Sequence, residues 1–223
     1  RELYEPFNLR PYPAGNSGCQ MGGWFKKPIN SVQDLQGLKM RIPGFGGEVL
    51  RRNGGTPVAM PGSEIFTALQ TGTIDAAEWI GPYNDLTFGF HKVAKHYYYP
   101  GWHEGGPALE CIVNKEAYEG LPEDLQTIID IAASATNDSM LAEFMARNAF
   151  SLKQIETMED IKIAPFPKDV MDAFKQKAEE IIAEIITKDP KFAKIYKSFS
   201  EYKDTVEKWT KISEYALLKN RYE

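Results

Sequence analysis

Residues Asn30–Pro82 read NSVQDLQGLKMRIPGFGGEVLRRNGGTPVAMPGSEIFTALQTGTIDAAEWIGP, and the order of apolar residues and chain breakers in this stretch decides the fold. Leu38, Met40 and Ile42 alternate with Lys39 and Arg41, the two-residue period of a strand, which Pro43 and Gly44 close. A helix is expected from Gly47 to Asn53, stopped by Gly54 and Gly55, and a second strand from Thr56 to Met60 before Pro61 and Gly62. Ser63 is expected to cap a helix through Leu69 that Gly72 ends, and Ile74 to Trp79 reads as a third strand halted by Gly81 and Pro82. Upstream, Asn30 and Ser31 read as caps of a short helix ending at Gly37. Strand, helix, strand, helix, strand implies a parallel sheet and an α/β fold.

Outward from this core, Phe7 to Pro13 reads as extended chain, and an aromatic run, Tyr97, Tyr98, Tyr99 and Trp102, precedes a strand from Ala108 to Asn114. Helix then dominates: Pro122 to about Met158, a short strand at Ile161 to Ile163, and Lys168 to Lys188 before Pro190. From Lys191 to about Asn220, Phe192, Ile195, Phe199, Tyr202, Val206, Trp209 and Ala216 recur at steps of three and four, with Ser213 the weak position. Such a helix would be about 45 Å long at 1.5 Å per residue. Packing across its own chain and a seam to a partner subunit both satisfy this pattern.

The 223 residues are 43% hydrophobic and 26% charged, the balance of an ordinary globular chain with a sizeable core. A net charge of -5, with no Lys or Arg cluster interleaved with aromatics, argues against a nucleic-acid groove. No run of eighteen apolar residues is present to span a bilayer. The sequence opens at Arg1 with neither initiator Met nor signal peptide, so the N-terminus of the whole protein is expected to lie upstream. Cys19 and Cys111 show no zinc or redox spacing and are expected to be small buried thiols at strand starts or middles.

Open α/β sheets bind ligands beyond the carboxyl ends of their parallel strands, which singles out Arg41, Glu78 and Trp79. Arg41 precedes Pro43-Gly44-Phe45-Gly46-Gly47, and a guanidinium fork beside a glycine-rich turn opening a helix outlines an anion site. The plainer alternative is a surface ion pair. Glu78, after the small residues Ala76 and Ala77, needs compensation. A hard cation would supply it, held by the Glu78 carboxylate, the Trp79 carbonyl and the Gln20 amide oxygen; the alternatives are a salt bridge to Arg41 and, for Trp79, packing. Enzyme signatures fail individually. Gly44-Phe45-Gly46-Gly47 lacks the third glycine of a dinucleotide fingerprint, with Val49 in its place, and Ser17 lacks a nucleophile elbow. His91, His96 and His103 form no zinc pattern and read as structural or exposed. No catalytic residue is assigned.

Four segments, Gln20-Met21-Gly22-Gly23-Trp24, Gly37-Leu38-Lys39-Met40-Arg41, Gly72 through Trp79 and Tyr99-Pro100-Gly101-Trp102, resemble the DctP-like solute-binding proteins of tripartite ATP-independent periplasmic (TRAP) transporters. Glu78-Trp79 places the resemblance nearest the branch that binds 2-oxo or 2-hydroxy monocarboxylates. It covers nearly the whole chain from Pro13 and implies a two-lobe periplasmic-binding-protein-like fold of which this sequence supplies the C-terminal part. Residues 12–105 would be the second ligand-binding lobe, 106–160 the return into the first lobe with a long helix, and 161–223 a C-terminal helical segment serving dimerisation. The resemblance further implies that Arg41 pins the substrate carboxylate, that Gln20 reaches substrate or metal from a hinge-side strand, and that Glu78 and the Trp79 carbonyl hold the cation. Glu104, before Gly105 and Gly106, falls at a further ligand contact, and Phe45 and Trp102 would shape the pocket.

With Arg41 positive and Glu78, Glu104 and a monocarboxylate negative, the closing cleft would carry about -2, which a sodium or calcium ion offsets. The expected function is therefore capture of a small organic acid in the periplasm and delivery to TRAP permease subunits, by a homodimer and not an enzyme. A sensor on the same fold, or an enzyme acting on small acids, are the competing readings.

Overall fold

The computed structural model describes residues 2–222. In chain order the strands and helices are β1 (Leu9–Gly15), β2 (Gly23–Phe25), β3 (Lys39–Arg41), α1 (Gly44–Arg52), β4 (Thr56–Val58), α2 (Gly62–Thr71), β5 (Ala76–Ala77), α3 (Pro82–Phe88), β6 (His96–Tyr99), β7 (Leu109–Asn114), α4 (Lys115–Glu119), α5 (Glu123–Glu156), β8 (Lys162–Pro165), α6 (Lys168–Lys188), α7 (Pro190–Ile212) and α8 (Glu214–Tyr222). The chain divides into two compact units, one up to Phe174 and one from Lys175, with the boundary inside α6.

The larger sheet of the first unit has the order β4-β3-β5-β2-β6-β8. β3 is parallel to β4 and β5, β2 is antiparallel to β5 and β6, and β6 is parallel to β8. Every strand but β2 thus runs one way, so the carboxyl ends of β3, β5 and β6 share an edge with the amino end of β2. Local chemistry fixes the corners. The Asp34 carboxylate accepts from the N–H groups of Asn30 and Ser31 at 2.8 and 3.1 Å, closing the turn before β3. Gly72 ends α2 at φ 77°, a left-handed conformation that costs glycine nothing.

Trp24, Ile65, Leu69, Ile74, Phe90, Tyr97 and Ile155 are all fully buried and form the core on one face of this sheet. Truncating one such residue, for example Leu69→Ala, would cost about 2–5 kcal/mol. β1 and β7 make a separate two-stranded antiparallel ladder from Leu9↔Asn114 to Gly15↔Leu109, and α5 packs along β1. In the second unit, Asp189 caps α7 by accepting from the N–H groups of Lys191 and Phe192 at 2.8 and 3.1 Å.

Several expectations need correction. Cys19 and Cys111 are exposed, not buried. β7 ends its two-stranded sheet and is open along nearly its whole length, and Cys19 lies outside any strand. The third core strand shrinks to Ala76–Ala77, although its hydrogen bonding to β3 extends one residue further. The single C-terminal helix is broken at Ser213, whose backbone leaves helical geometry (φ -107°, ψ -102°) while its hydroxyl donates to the Trp209 carbonyl at 2.7 Å; serine bonded back to its own helix competes with the helical ladder. Among the described residues no helix is long and apolar enough to cross a membrane.

Candidate functional site

Arg41 ends β3 and Glu78 is the first residue after β5, so the two meet on the shared strand-end edge. The Glu78 N–H donates to the Arg41 carbonyl at 3.1 Å. In return Arg41 Nη1 donates to the Glu78 main-chain oxygen at 3.1 Å and to the carboxylate Oε1, while Nε reaches the Met60 carbonyl at 3.4 Å. The side chains are 12% and 4% exposed, making this a largely desolvated ion pair. Completely buried Ala76 and Ala77 allow it, because their small side chains let β5 sit centrally with neighbours on both sides.

Trp79 lies beside the pair with its ring centroid 5.0 Å from the Arg41 guanidinium carbon. A side chain at Gly62, the first residue of α2, would meet the same indole at 2.6 Å, so glycine there makes room for it. The indole Nε1–H is buried without a hydrogen-bond partner among the described residues.

Gln20 belongs to the loop entering β2, not to a strand as expected. Its N–H donates to the Glu104 carbonyl at 3.2 Å, its carbonyl accepts from Gly101 N–H at 2.8 Å, and Met21 N–H donates to the Ile80 carbonyl at 3.0 Å. The backbone at Gln20 therefore joins the segment after β5 to the loop after β6. Any side chain at Gly101 would collide with the Gln20 carbonyl, which explains glycine there. Gln20 Nε2 donates to Ser17 Oγ at 3.3 Å, whereas Oε1 is buried with no partner among the described residues. A cleft of about 670 Å³ borders Gln20, with Cys19, Tyr99 and Ile163 among its walls.

Glu104 is the most open of the group. Partial burial raises its pKa from the ordinary value, with His103 and Arg41 opposing and Glu78 adding to the effect. Glu104 thus lies within electrostatic range of His103, Glu78 and Arg41.

His103 was missed by sequence reading. Its Nε2 stands 3.1 Å from Glu78 Oε2, and the side chain is 5% exposed. A residue at Gly46, in the first turn of α1, would meet the His103 Cβ at 3.3 Å, so the histidine also closes on the helix that follows Arg41. Without zinc spacing it carried no recognisable motif. The usable signal was position, since the loop after β6 leaves from the same edge as Arg41 and Glu78.

A hard cation fits this donor set. Among the described residues no group of three or more His, Cys, Asp or Glu side chains converges as a metal cluster. The oxygens that could serve are the buried Glu78 carboxylate, paired here with Arg41 and His103, main-chain carbonyls and the Gln20 Oε1, a buried acceptor without a partner among the described residues. Amide, carbonyl and carboxylate oxygens are the ligands that calcium and sodium take, and an orphaned buried acceptor costs about 1–3 kcal/mol until something occupies it.

Comparison with known proteins gives the family of the chain. Residues 7–189 match the DctP model, described as bacterial extracellular solute-binding protein, family 7. A monocarboxylate 2-oxoacid-binding periplasmic protein of Nostoc sp. is 42% identical over 214 residues, covering 96% of this chain and 58% of that protein. The crystal structure of a TRAP periplasmic solute-binding protein from Colwellia psychrerythraea, with bound calcium and pyruvate, superposes with a TM-score of 0.95 at 46% identity, covering 98% of this chain and 67% of that one. A TRAP periplasmic solute-binding protein from Pseudoalteromonas atlantica, with bound sodium and pyruvate, gives 0.94 at 45% identity, covering 98% and 66%. The chain thus spans somewhat more than half the length of the Nostoc relative. Through a family match over residues 7–189, the chain belongs to bacterial extracellular solute-binding protein family 7, the DctP family.

Proposed function

We propose that this chain carries the ligand site of a periplasmic solute-binding protein that captures a small 2-oxo or 2-hydroxy monocarboxylate together with a calcium or sodium ion and delivers it to TRAP permease subunits. The single observation that carries the reading is the pairing of Arg41 with Glu78 at neighbouring parallel strand ends; the buried amide oxygen of Gln20, which lacks a donor among the described residues, is a further ligand group. Arg41 is the bidentate partner of the substrate carboxylate. Glu78, the Trp79 carbonyl and Gln20 Oε1 hold the cation, and Gln20, Trp79 and Glu104 contact the substrate. His103 keeps Glu78 oriented from the side opposite Arg41.

In the structure Arg41 is held by Glu78. Glu78 would share its carboxylate with the cation, and Arg41 would then turn its guanidinium to the substrate carboxylate, so that the two ligands would assist each other. The pyruvate and cations named for the Colwellia and Pseudoalteromonas structures support this chemistry. Residues 12–105 serve as the second ligand-binding lobe, 106–160 as the return into the first, and 161–223 as a dimerisation element. Phe199, Tyr202, Trp209 and Ile212 leave α7 between 57% and 74% exposed, an apolar stripe suited to a second copy of the chain.

Isothermal titration calorimetry on the full product of the gene tests the reading. Pyruvate, lactate and branched 2-oxo acids are titrated with and without calcium or sodium. Micromolar or tighter binding that requires the cation is expected; the absence of heat with every acid and either cation would remove the proposed substrate class.

A further inference from the structure

Asp85, in the middle of α3, is 1% exposed, and its carboxylate accepts four hydrogen bonds. Oδ2 takes the Trp24 indole N–H at 3.0 Å and the Tyr97 hydroxyl at 2.8 Å, and Oδ1 takes the main-chain N–H groups of Ile80 and Gly81 at 3.3 and 3.2 Å. Trp24 and Tyr97 are register partners on β2 and β6, with rings stacked 4.1 Å apart.

Each of these elements leads into the ligand site. β2 is entered from Gln20, β6 leaves towards His103 and Glu104, and Ile80 follows Glu78 and Trp79 directly while its carbonyl accepts from Met21. One buried carboxylate therefore sits where the backbones bearing Gln20, Glu78, Trp79, His103 and Glu104 converge, yet no contact joins it to Arg41, Glu78 or Gln20 among those the structure gives it.

We propose that Asp85 is a positioning residue for the ligand site, fixing the Glu78–Trp79 segment and the Gln20 loop in register so that both hold one cation and one carboxylate. The effect on affinity rests on the function proposed above; the effect on the Ile80–Gly81 backbone does not. Packing alone gives no reason for an acid here, because a buried carboxylate is costly unless its hydrogen bonds are complete. The four donors complete them and reach three separate elements. Burial pushes the Asp85 pKa up to about 7 against the bonds from Tyr97, Ile80, Trp24 and Gly81. Tyr97, the ionisable group facing it, is held well above its ordinary value, mainly by burial, and so stays a neutral donor.

Asp85→Asn is the informative variant: it keeps the volume and one oxygen but turns an N–H group towards Trp24 or the backbone donors. Tyr97→Phe removes one donor and leaves the acid, providing a second route should Asp85→Asn fail to fold. Both are compared with wild type, on the full product of the gene, by calorimetry with calcium alone and with pyruvate at saturating calcium. Hydrogen exchange follows the Ile80 and Gly81 amides.

Outer partners of metal ligands typically set affinity by 10–100-fold, so Asp85→Asn is expected to weaken calcium and pyruvate at least tenfold and to speed exchange at Ile80 and Gly81, while the Leu69 and Ile74 amides stay protected. In the Glu78→Gln background the same change should add less than twofold, since the two act as one unit. A folded Asp85→Asn protein with wild-type affinities, or a full tenfold loss persisting in the Glu78→Gln background, would reduce Asp85 to a structural residue. If wild type binds neither calcium nor pyruvate, the ligand reading fails by itself. Exchange at Ile80 and Gly81 then decides Asp85 alone, and unchanged protection in both variants overturns the proposal.

Discussion

Arg41 and Glu78 are joined three ways: the Glu78 N–H donates to the Arg41 carbonyl, and the guanidinium donates to both the main-chain oxygen and the carboxylate of Glu78. Breaking such a desolvated pair from one side leaves an uncompensated buried charge. Arg41→Ala is therefore expected to lower unfolding stability by about 3–5 kcal/mol, read by urea denaturation. Replacing both residues, as Arg41→Met with Glu78→Leu, should recover most of that loss. Pyruvate affinity should fall roughly tenfold to a hundredfold in Arg41→Ala, the equivalent of about 1.5–3 kcal/mol for bonds to a charged group, and the double replacement should not restore it. A stability loss under 1 kcal/mol would mean the pair is solvated in solution.

Because Glu78 holds Arg41, cation and carboxylate binding should be coupled, and linkage makes the coupling reciprocal. Calcium is expected to tighten pyruvate about 5–150-fold, and pyruvate to tighten calcium by the same factor, within the usual range of coupling energies. Two-way calorimetric titrations supply all four constants. In Glu78→Gln the coupling should collapse towards unity, since the neutral amide neither holds Arg41 as strongly nor gains as much from the cation. Equal pyruvate affinity at zero and saturating calcium in wild type would refute the exchange.

The parts of this site carried by sharp local chemistry were legible in the sequence. Alternating Leu38, Met40 and Ile42, and the breakers at Gly54-Gly55, Gly72 and Gly81-Pro82, gave the parallel strands and placed Arg41 and Glu78 at their ends. The plainer alternative raised for Glu78, a salt bridge to Arg41, is also what forms, although it is desolvated and so not the surface ion pair raised for Arg41. Long-range convergence was not legible. His103 reaches Glu78 only because antiparallel β2 lies between β5 and β6, a topology that no local pattern announces. Asp85 drew no expectation from the sequence: Ile80 and Gly81 are near it in the chain, but its donors Trp24 and Tyr97 come from two separate strands. Cys111 was misjudged for a related reason: strand propensity does not tell an edge strand from a central one.

Asp85 also makes stability depend on pH in a defined direction. Its pKa rises from 3.8 to about 7 on folding because burial penalises the charged form. Folding is favoured by this group while it is protonated, fully so below about pH 4, and that contribution is lost as pH rises through 7. The stability difference between wild type and Asp85→Asn, from urea denaturation at several pH values, should shift steadily against wild type between pH 4 and 7 and then level off. A difference that is flat over this window would show that the four donors match the desolvation cost and keep Asp85 ionised throughout.

The C-terminal unit offers a separate test. Ile195, Phe199, Tyr202, Val206 and Trp209 repeat at the alternating spacing of a helix seam and are between 37% and 71% exposed on α7. A second copy of the chain covering this stripe would bury several large side chains, each worth about 1.5–3 kcal/mol when fully withdrawn from water. Sedimentation of the full gene product at micromolar concentration is expected to give a dimer. Phe199→Glu with Trp209→Glu should give a monomer of unchanged helical content, because both positions face outward and the Asp189 cap of α7 is untouched. A wild-type monomer that keeps α7 helical would mean that the stripe serves the protein's own chain instead.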